Sequence, residues 1–554
     1  MAFLFSIVGF IILLSIVVFV HEFGHFMAGR RMGIGVERFA LGFGRALYRK
    51  TKNGVEYRVN WIPFGGYVKF VGDEPGQPVA PELRAVAFNT APVYKRAIIA
   101  AAGPLMNLVL AFVLFCLVYL VGQPNPTALI AEVDPGSPAA AAGLQPGDRI
   151  TAVNGAPVEF WEQLSEWISK HPEQTLRLTV DRDGQTLTLD VTTRRVNALN
   201  IFGFNSERGS IGVSQVGRKA WVGVNDPLSP AYVGGLRSGD LLLSINGRPV
   251  RFLADVDRVL AAQSAAPLAI AVARGTDNIE LAEPRPSFTA HLPAANNPAP
   301  WSMQTLGLES GEFYVQLVIP NTPAERAGFR PGDRLLTLSG QPVTSWETFS
   351  KAVRESVDKP LTVTVRRDWQ TVALNAKPEL KVDRDLLGQI KRFGRLGLAP
   401  QVIYSAVDTK IERYYNPVKI VARGFQESWH WMIVTVKGFF YLIVGKAPTS
   451  SLGGPILIAQ LAGESARMGW IPFVFFMAVI SLNLAFINLF PIPVLDGGHL
   501  FLLTIEAVRR RPMSERAIGI AQRVGLTLIG ALILLVFYND LSRVWFEMKD
   551  RFFG

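Results

Sequence analysis

Apolar residues concentrate near the two ends of the chain, while the middle reads as ordinary globular sequence. Two apolar runs near the start and two near the end are long enough, with their flanking residues, to cross a bilayer. A further run, Trp429–Val444, is shorter and interrupted by Lys437, and we interpret it as an interfacial or protein-packed helix. The pattern predicts four transmembrane helices, at about Phe3–Val20, Ile98–Val121, Ile471–Phe490 and Ile518–Phe537.

A repeat organises the middle of the chain. Gly-Asp pairs stand at 147–148, 239–240 and 332–333, each after a Ser/Thr-Pro-Ala segment and before an apolar stretch that ends in Asn-Gly or Ser-Gly. The period of about 92 residues is far longer than a solenoid repeat, so each copy should be a small domain. Proline opening a short helix, glycine closing it and Asn-Gly in a hairpin are typical of α+β structure.

These segments resemble three PDZ domains in tandem, which we place at 122–205, 206–290 and 300–400. Domains of this kind bind extended peptide ends by adding a strand to a sheet edge. The alternative is that some copies only shield a site in the membrane.

The distribution of charge indicates the orientation. The chain has 554 residues, is 49% hydrophobic and 18% charged, and carries a net charge of +11. Much of the excess lies in segment 30–96, which predicts a cytoplasmic loop and therefore periplasmic PDZ-like domains in a bacterial inner membrane. Strands at Tyr57–Trp61 and Tyr67–Val71, around a turn at 63–66, predict a small membrane-associated β element in this loop. No basic helix with interleaved aromatics is present in the sequence, so nucleic acid is not an expected partner.

The strongest chemical motif is His21-Glu22-Phe23-Gly24-His25 at the end of the first apolar run. On a helix the two histidines lie one turn apart on one face, so both rings can reach one Zn²⁺ ion. Glu22 is placed to act as the general base that accepts a proton from the attacking water. Three ionisable residues at the end of a membrane span are costly unless they have a function.

Catalytic zinc has three protein ligands, so one more must come from elsewhere. Asp496 lies between Pro493 and Gly497-Gly498, where a helix should unwind, and at the cytoplasmic end of its span, the depth predicted for His21 and His25. His499 is the alternative ligand.

His21-Glu22-x-x-His25, Gly103-x-x-x-Asn107 and the run Asn488–Gly498 together resemble the site-2 protease family of intramembrane zinc metalloproteases, in its RseP-type bacterial branch with PDZ domains. The resemblance implies one Zn²⁺ held by His21, His25 and Asp496. It also implies that Asn488 and the strand Gly65, Gly66, Tyr67 and Val68 hold the unwound substrate backbone. That branch usually carries two PDZ domains, and this chain reads as three.

The sequence thus predicts a polytopic α-helical membrane protein with a small β element and three periplasmic PDZ-like domains. It assigns 1–121 to the first two membrane helices and the β loop, 401–470 to periplasmic or interfacial helices, and 471–554 to the last two membrane helices. The expected activity is that of a zinc metalloendopeptidase that cleaves the transmembrane segments of single-span proteins already trimmed outside. Expected substrates are an anti-sigma factor in envelope stress signalling and signal-peptide remnants. The alternatives are a non-catalytic PDZ scaffold for envelope proteins and a soluble-type zinc protease with membrane anchors, and the motif at Asp496 inside a span argues against the second.

Overall fold

The computed structural model describes residues 2–73, 79–199, 205–263, 267–274, 286–293, 301–384, 390–400, 404–406, 408–445, 452–511 and 513–553. The chain divides into two compact units. The helical unit comprises Met1–Pro124 and Ile411–Gly554, and the β unit comprises Asn125–Asp385 and Ile390–Lys410. The β unit is therefore an insertion, in chain order, between the second and third long apolar helices.

Long apolar helices and shorter ones build the helical unit. In the described residues, four are long and apolar enough to cross a membrane, which confirms the predicted number by length and composition. We name Ala2–Arg31, Val93–Val121, Trp470–Asn488 and Glu515–Phe553 the first to fourth membrane helices. The other helices are Pro81–Val86 (3-10), Pro417–Ile443, Pro455–Met468 and Asp496–Arg509.

The helix Pro417–Ile443 is longer than the apolar run that predicted it, and it is not among the four candidate spans. It begins earlier because Asn416 caps it and Pro417 occupies its first position, and neither residue is apolar enough to register in a hydropathy pattern. It packs on the second membrane helix, where the Tyr119 hydroxyl donates to Glu427 over 2.8 Å. The interpretation as a protein-packed helix agrees with these contacts.

The basic loop folds into a hairpin of strands Val36–Lys52 and Val55–Phe70, joined at Asn53-Gly54. Both turn residues have positive φ, 53° and 78°, as a two-residue hairpin turn requires. The predicted turn at 63–66 is therefore wrong, because these residues lie within the second strand. The register shifts nearby, as is usual where a proline cannot donate to the ladder.

Residues 38–41 of this hairpin each have two partners, one in 56–59 and the other in 66–69. Segment 66–69 thus pairs on one side with 38–41, and no second strand pairs with it among the described residues. It therefore forms an edge of the hairpin sheet in the described residues.

Three apolar cores, formed by residues 128–211, 220–308 and 315–396, define three subdomains of the β unit. The first contains strands Glu132–Val133, Arg149–Val153, Ala156–Pro157, Thr175–Arg182, Gln185–Thr192, Arg194–Leu199, Asn205–Ser210 and Val213–Ser214 and helices Pro138–Ala141 and Trp161–Lys170. The second contains strands Trp221–Val224, Asp240–Ile245, Arg248–Pro249, Leu268–Ala273, Phe288–Leu292 and Leu308–Ser310 and helices Pro230–Val233, Leu253–Ala261 and Met303–Leu306. The third contains strands Val315–Val318, Arg334–Leu338, Gln341–Pro342, Leu361–Arg367, Gln370–Ala376, Glu379–Arg384, Ile390–Arg395 and Leu398–Pro400 and helices Gly311–Phe313 (3-10), Pro323–Arg326 and Trp346–Glu355. Short strands Gln123–Pro126, Gly217–Arg218, Tyr404–Ala406 and Thr409–Glu412 complete the chain.

Each subdomain buries the aspartate of its Gly-Asp pair. The carboxylate accepts two hydrogen bonds, of 2.6–2.7 Å, from an arginine 34 residues later, and a third from a backbone N–H three residues earlier. The pairs are Asp148–Arg182, Asp240–Arg274 and Asp333–Arg367. The repeated motif is thus a structural clamp that ties a loop to a strand.

The subdomain boundaries differ from those predicted. Trp301, Leu306 and Leu308 pack in the second core, although the prediction gave residues from 300 onward to the third domain. Ile211 packs in the first core, beyond the predicted end at 205. The strand Leu308–Ser310 lies far along the chain from its partner Trp221–Val224, so the linear repeat motif cannot show to which copy it belongs.

Candidate metal centre

His21 and His25 lie one turn apart near the carboxyl end of the first membrane helix and are only 7% and 9% exposed. Their Nε2 atoms are 3.2 Å apart. The Nδ1 atom of His25 lies 2.7 Å from the backbone oxygen of Ile99 on the second membrane helix. This contact turns the Nε2 atom of His25 towards its neighbour.

Asp496 is the first residue of the helix Asp496–Arg509, which begins after the third membrane helix has ended at Asn488. Gly497 and Gly498 are required here, because a Cβ at either would collide with backbone carbonyls of the preceding loop, at Leu489 and Ile492. The two glycines let the new helix start tightly against the loop that precedes it. The predicted unwinding before Asp496 is therefore present.

Three ligand atoms converge at this point. The Oδ2 atom of Asp496 lies 3.0 Å from the Nε2 atom of His21 and 3.5 Å from that of His25. A tetrahedral zinc ion with bonds of about 2.0–2.1 Å holds its ligand atoms about 3.3 Å apart, so the observed separations fit such an ion. Two imidazoles and one carboxylate also form a donor set of catalytic zinc, with the fourth position open.

Glu22 is not part of this cluster, but it is close enough to His21, His25 and Asp496 for their charges to act on its carboxyl. Its side chain lies against Gly66, where an added Cβ would be 3.0 Å from its Cγ atom, and beside the Val68 backbone. The structure therefore brings the edge segment 66–69 next to the proposed base.

Gly65 and Tyr67 flank Gly66, the residue against which Glu22 lies, in the second strand of the hairpin. Gly65 has φ of +84°, and Tyr67 lies 3.4 Å from the Arg38 guanidinium, which donates to its hydroxyl. Gly65, Gly66, Tyr67 and Val68 thus form one continuous stretch of strand at the cluster.

Asn488, the last residue of the third membrane helix, lies with its amide nitrogen 3.4 Å from the Nε2 atom of His21. It is half-buried, and it stands at the same corner of the cluster as Asp496. His499, the alternative ligand, is not among the residues whose ligand atoms converge in the described part of the chain.

Two further residues at the site were not predicted to have a role there. Gly103 on the second membrane helix faces both rings, and a Cβ there would lie 2.8 Å from the Nε2 atom of His21 and closer still to His25. Asn107, one turn later, places its amide nitrogen 3.3 Å from the Nδ1 atom of His21. Both belong to the motif Gly103-x-x-x-Asn107, whose spacing of four residues puts them on one face of a helix, but the motif alone assigns neither residue a role.

The fold and the site define a class: a multi-pass membrane protein with a buried His-His-Asp cluster and an adjacent glutamate, which is the arrangement of a metalloprotease. The family model for Peptidase family M50 matches residues 9–532. The chain therefore belongs to peptidase family M50, the site-2 protease family, and is an intramembrane zinc metalloprotease.

Curated relatives match over almost the whole chain. "Regulator of sigma-E protease RseP" of Escherichia coli is 33% identical over 98% of this chain and 100% of its own length. "Protease RseP" of Yersinia pestis is 32% identical over the same shares. A chain of Vibrio cholerae named as a zinc metalloprotease is 31% identical over 98% of this chain and 99% of its own.

Among solved structures, the PDZ domain of an SdrC-like protein from Listeria monocytogenes is 18% identical and covers 17% of this chain and 87% of its own, with a TM-score of 0.13. A match at this TM-score carries no argument about the β subdomains.

Proposed function

We propose that this protein cleaves transmembrane segments of single-span membrane proteins whose outer domain has already been removed, with one Zn²⁺ held by His21, His25 and Asp496. The observation that carries the proposal is the convergence of the three ligand atoms at 3.0–3.5 Å beside Glu22 and a strand edge. The anti-sigma substrate is inferred from the relatives, which are named for regulation of sigma-E. Signal-peptide remnants are a second substrate of the same chemistry, since they too are short apolar helices.

Zinc in a site of this kind supplies a Lewis acid that polarises a carbonyl and makes water a stronger nucleophile. Glu22 accepts the proton of the attacking water and returns it to the leaving amine. Its position against Gly66 places this proton transfer next to the segment that would hold the substrate.

A transmembrane helix hides its amide groups, so the scissile segment must be opened into an extended strand before it can be hydrolysed. We propose that the edge formed by Gly65, Gly66, Tyr67 and Val68 pairs with this strand, and that Asn488 holds its backbone with the side-chain amide. Support comes from the edge position of residues 66–68 in the hairpin and from the position of Asn488 at His21.

The three β subdomains are proposed to be PDZ-like domains on the periplasmic side of the inner membrane, where they would refuse substrates with an intact outer domain and bind peptide ends. The support is the repeat motif and the positive charge of segment 30–96, which favours a cytoplasmic loop and a site near the cytoplasmic face. The third copy is the departure from the usual two.

The decisive experiment replaces Glu22 with glutamine in the purified full-length protein and incubates it with a trimmed single-span substrate. We expect cleavage to fall by at least about 100-fold, the range of a lost general base, while bound zinc stays the same. Glu464→Gln, an exposed position on the helix Pro455–Met468, is the matched control and should cleave like the wild type. Persistent cleavage by Glu22→Gln would show that the general base lies elsewhere.

A further inference from the structure

The two histidines of the cluster are oriented by different kinds of partner. The partner of His25 Nδ1 is a backbone carbonyl, which can only accept a hydrogen bond, so this nitrogen carries the hydrogen and Nε2 keeps its lone pair for a metal. The partner of His21 Nδ1 is the side-chain amide of Asn107. An amide can donate or accept, so the tautomer of His21 depends on which end of the amide faces the ring.

Apart from the orientation of its amide, Asn107 is held in place by burial and by a backbone hydrogen bond. It is fully buried, and its backbone oxygen accepts a 2.9 Å hydrogen bond from the Ser481 hydroxyl on the third membrane helix. Its side-chain oxygen, in contrast, is buried without a hydrogen-bond donor in the described part of the chain. A buried oxygen of this kind costs about 1–3 kcal/mol, so a donor for it would be favourable.

The orientation of the amide decides whether His21 can bind metal. With the amide nitrogen towards the ring, Nδ1 must accept, and the ring hydrogen then sits on Nε2, the atom that points at Asp496. With the amide oxygen towards the ring, Nδ1–H donates to it, and Nε2 is free as a ligand. The amide nitrogen and oxygen have nearly the same shape, so both orientations fit the same space.

We propose that Asn107 is a positioning residue that selects the metal-binding tautomer of His21: its side-chain oxygen accepts a hydrogen bond from His21 Nδ1–H when the site holds a metal ion. The inference rests on the proposed zinc site. The two histidines therefore differ in how they can be tested. A side-chain substitution can remove the hydrogen-bond partner of His21, but it cannot remove that of His25, which is a backbone carbonyl.

The test is the zinc affinity of the full-length protein, measured by competition with a chromophoric chelator. Asn107→Leu, of similar size, should bind zinc about 10–100-fold more weakly, as is typical for loss of such a partner. Asn107→Asp should stay within about threefold of the wild type or bind more tightly, because both carboxylate oxygens can accept from Nδ1–H. Ser481→Ala removes only the contact to the Asn107 backbone and should also stay within about threefold.

A purely structural role of Asn107 would give a different result. If Asn107→Leu is folded by circular dichroism and binds zinc like the wild type, or if Asn107→Asp loses as much affinity as Asn107→Leu, the proposal is wrong. The spectrum of the Co²⁺-substituted Asn107→Leu protein should match the wild type, since all three ligands remain. The variant Asp496→Asn tests the proposed zinc site separately. If it retains zinc, the site itself is assigned wrongly, whatever the result for Asn107.

Discussion

The helical unit and the β unit both bury carboxylates, but they satisfy them in different ways. In the β unit Asp148, Asp240 and Asp333 are at most 1% exposed, and each is fully paired by an arginine and a backbone N–H. In the helical unit the side chain of Asp496, which is 21% exposed, contacts two histidine rings, and no arginine or lysine contacts it in the described residues. A buried acid paired by an arginine has a structural role, whereas one that meets two histidine nitrogens is arranged to share a metal ion with them.

The helical unit contains its own counterexample, which sharpens the contrast. Asp540 on the fourth membrane helix is 1% exposed and accepts from the backbone N–H groups of Gly454 and Ile456, over 3.0 and 2.9 Å. It thereby caps the start of the helix Pro455–Met468. Burial of an acid in the helical unit is therefore not itself a sign of function. The partners of its carboxylate indicate whether its role is structural or functional.

The largest effect is expected for Asp496→Asn, which keeps the shape of the side chain but removes a proposed metal ligand. Zinc affinity should fall by more than the ~10–100-fold that is typical when a ligand loses its hydrogen-bond partner, and proteolysis should be abolished. The metal content of the dialysed, purified protein measures this. A variant that retained one zinc per chain would place the third ligand elsewhere and break the comparison.

The same isosteric change in the β unit should act on stability and leave the metal alone. Asp333→Asn leaves the partly buried Arg367 without its carboxylate, which should lower the free energy of unfolding by about 2–4 kcal/mol. Denaturant unfolding of the full chain measures it, with zinc content unchanged. Asp190→Asn, an exposed acid paired with Arg177, is the control and should shift stability by less than about 0.5 kcal/mol. Equal shifts in the two variants would contradict the structural role of the Gly-Asp motif.

Sequence alone predicted the three residues whose ligand atoms converge in the structure, because the position of each follows a regular rule. Helical periodicity puts His21 and His25 on one face, and the count of spans puts Asp496 at their depth. The motif Gly103-x-x-x-Asn107 is visible in the sequence, but the contact of Asn107 with His21 is not, because it depends on how the second membrane helix is rotated against the first, where Gly24 packs on the Ala102 backbone. Close approach of two membrane helices needs small residues at their contact, but a single small residue in the sequence does not show which helix faces will meet.

The errors in the fold have equally local causes. The hairpin turn was placed at 63–66 because glycine and proline cluster there, although Asn53-Gly54 is the stronger turn signal. The strand Leu308–Ser310 was given to the third domain because it follows a long excursion, yet it pairs with Trp221–Val224 in the second. Turn chemistry and strand partnership are decided by long-range pairing, which a linear pattern does not contain.

The smallest effect is expected for Asp408, a partly buried acid that is paired with two partly exposed arginines. Its carboxylate accepts from the Thr127 hydroxyl and from Arg149 of the first subdomain and from Arg251 of the second. Partial burial alone would raise its pKa, but the hydrogen bonds from Thr127 and Arg149 and the charge of Arg251 outweigh burial and hold the pKa of Asp408 below its usual range. The ionised form is therefore favoured by folding.

It follows that Asp408 contributes stability that is fully present above its unfolded pKa of about 3.9 and is lost as the pH falls through its lower folded pKa. Asp408→Asn should cost about 1 kcal/mol at neutral pH, and the difference from the wild type should shrink to zero on acidification below about pH 4. Unfolding of the full chain across this range measures it, beside Asp183→Asn, an exposed partner of Arg258 that should show almost no difference at any pH. A deficit in Asp408→Asn that is the same at low and neutral pH would mean that Asp408 acts by shape rather than by charge, and the contrast between paired and unpaired acids would not extend to the junction of these two subdomains.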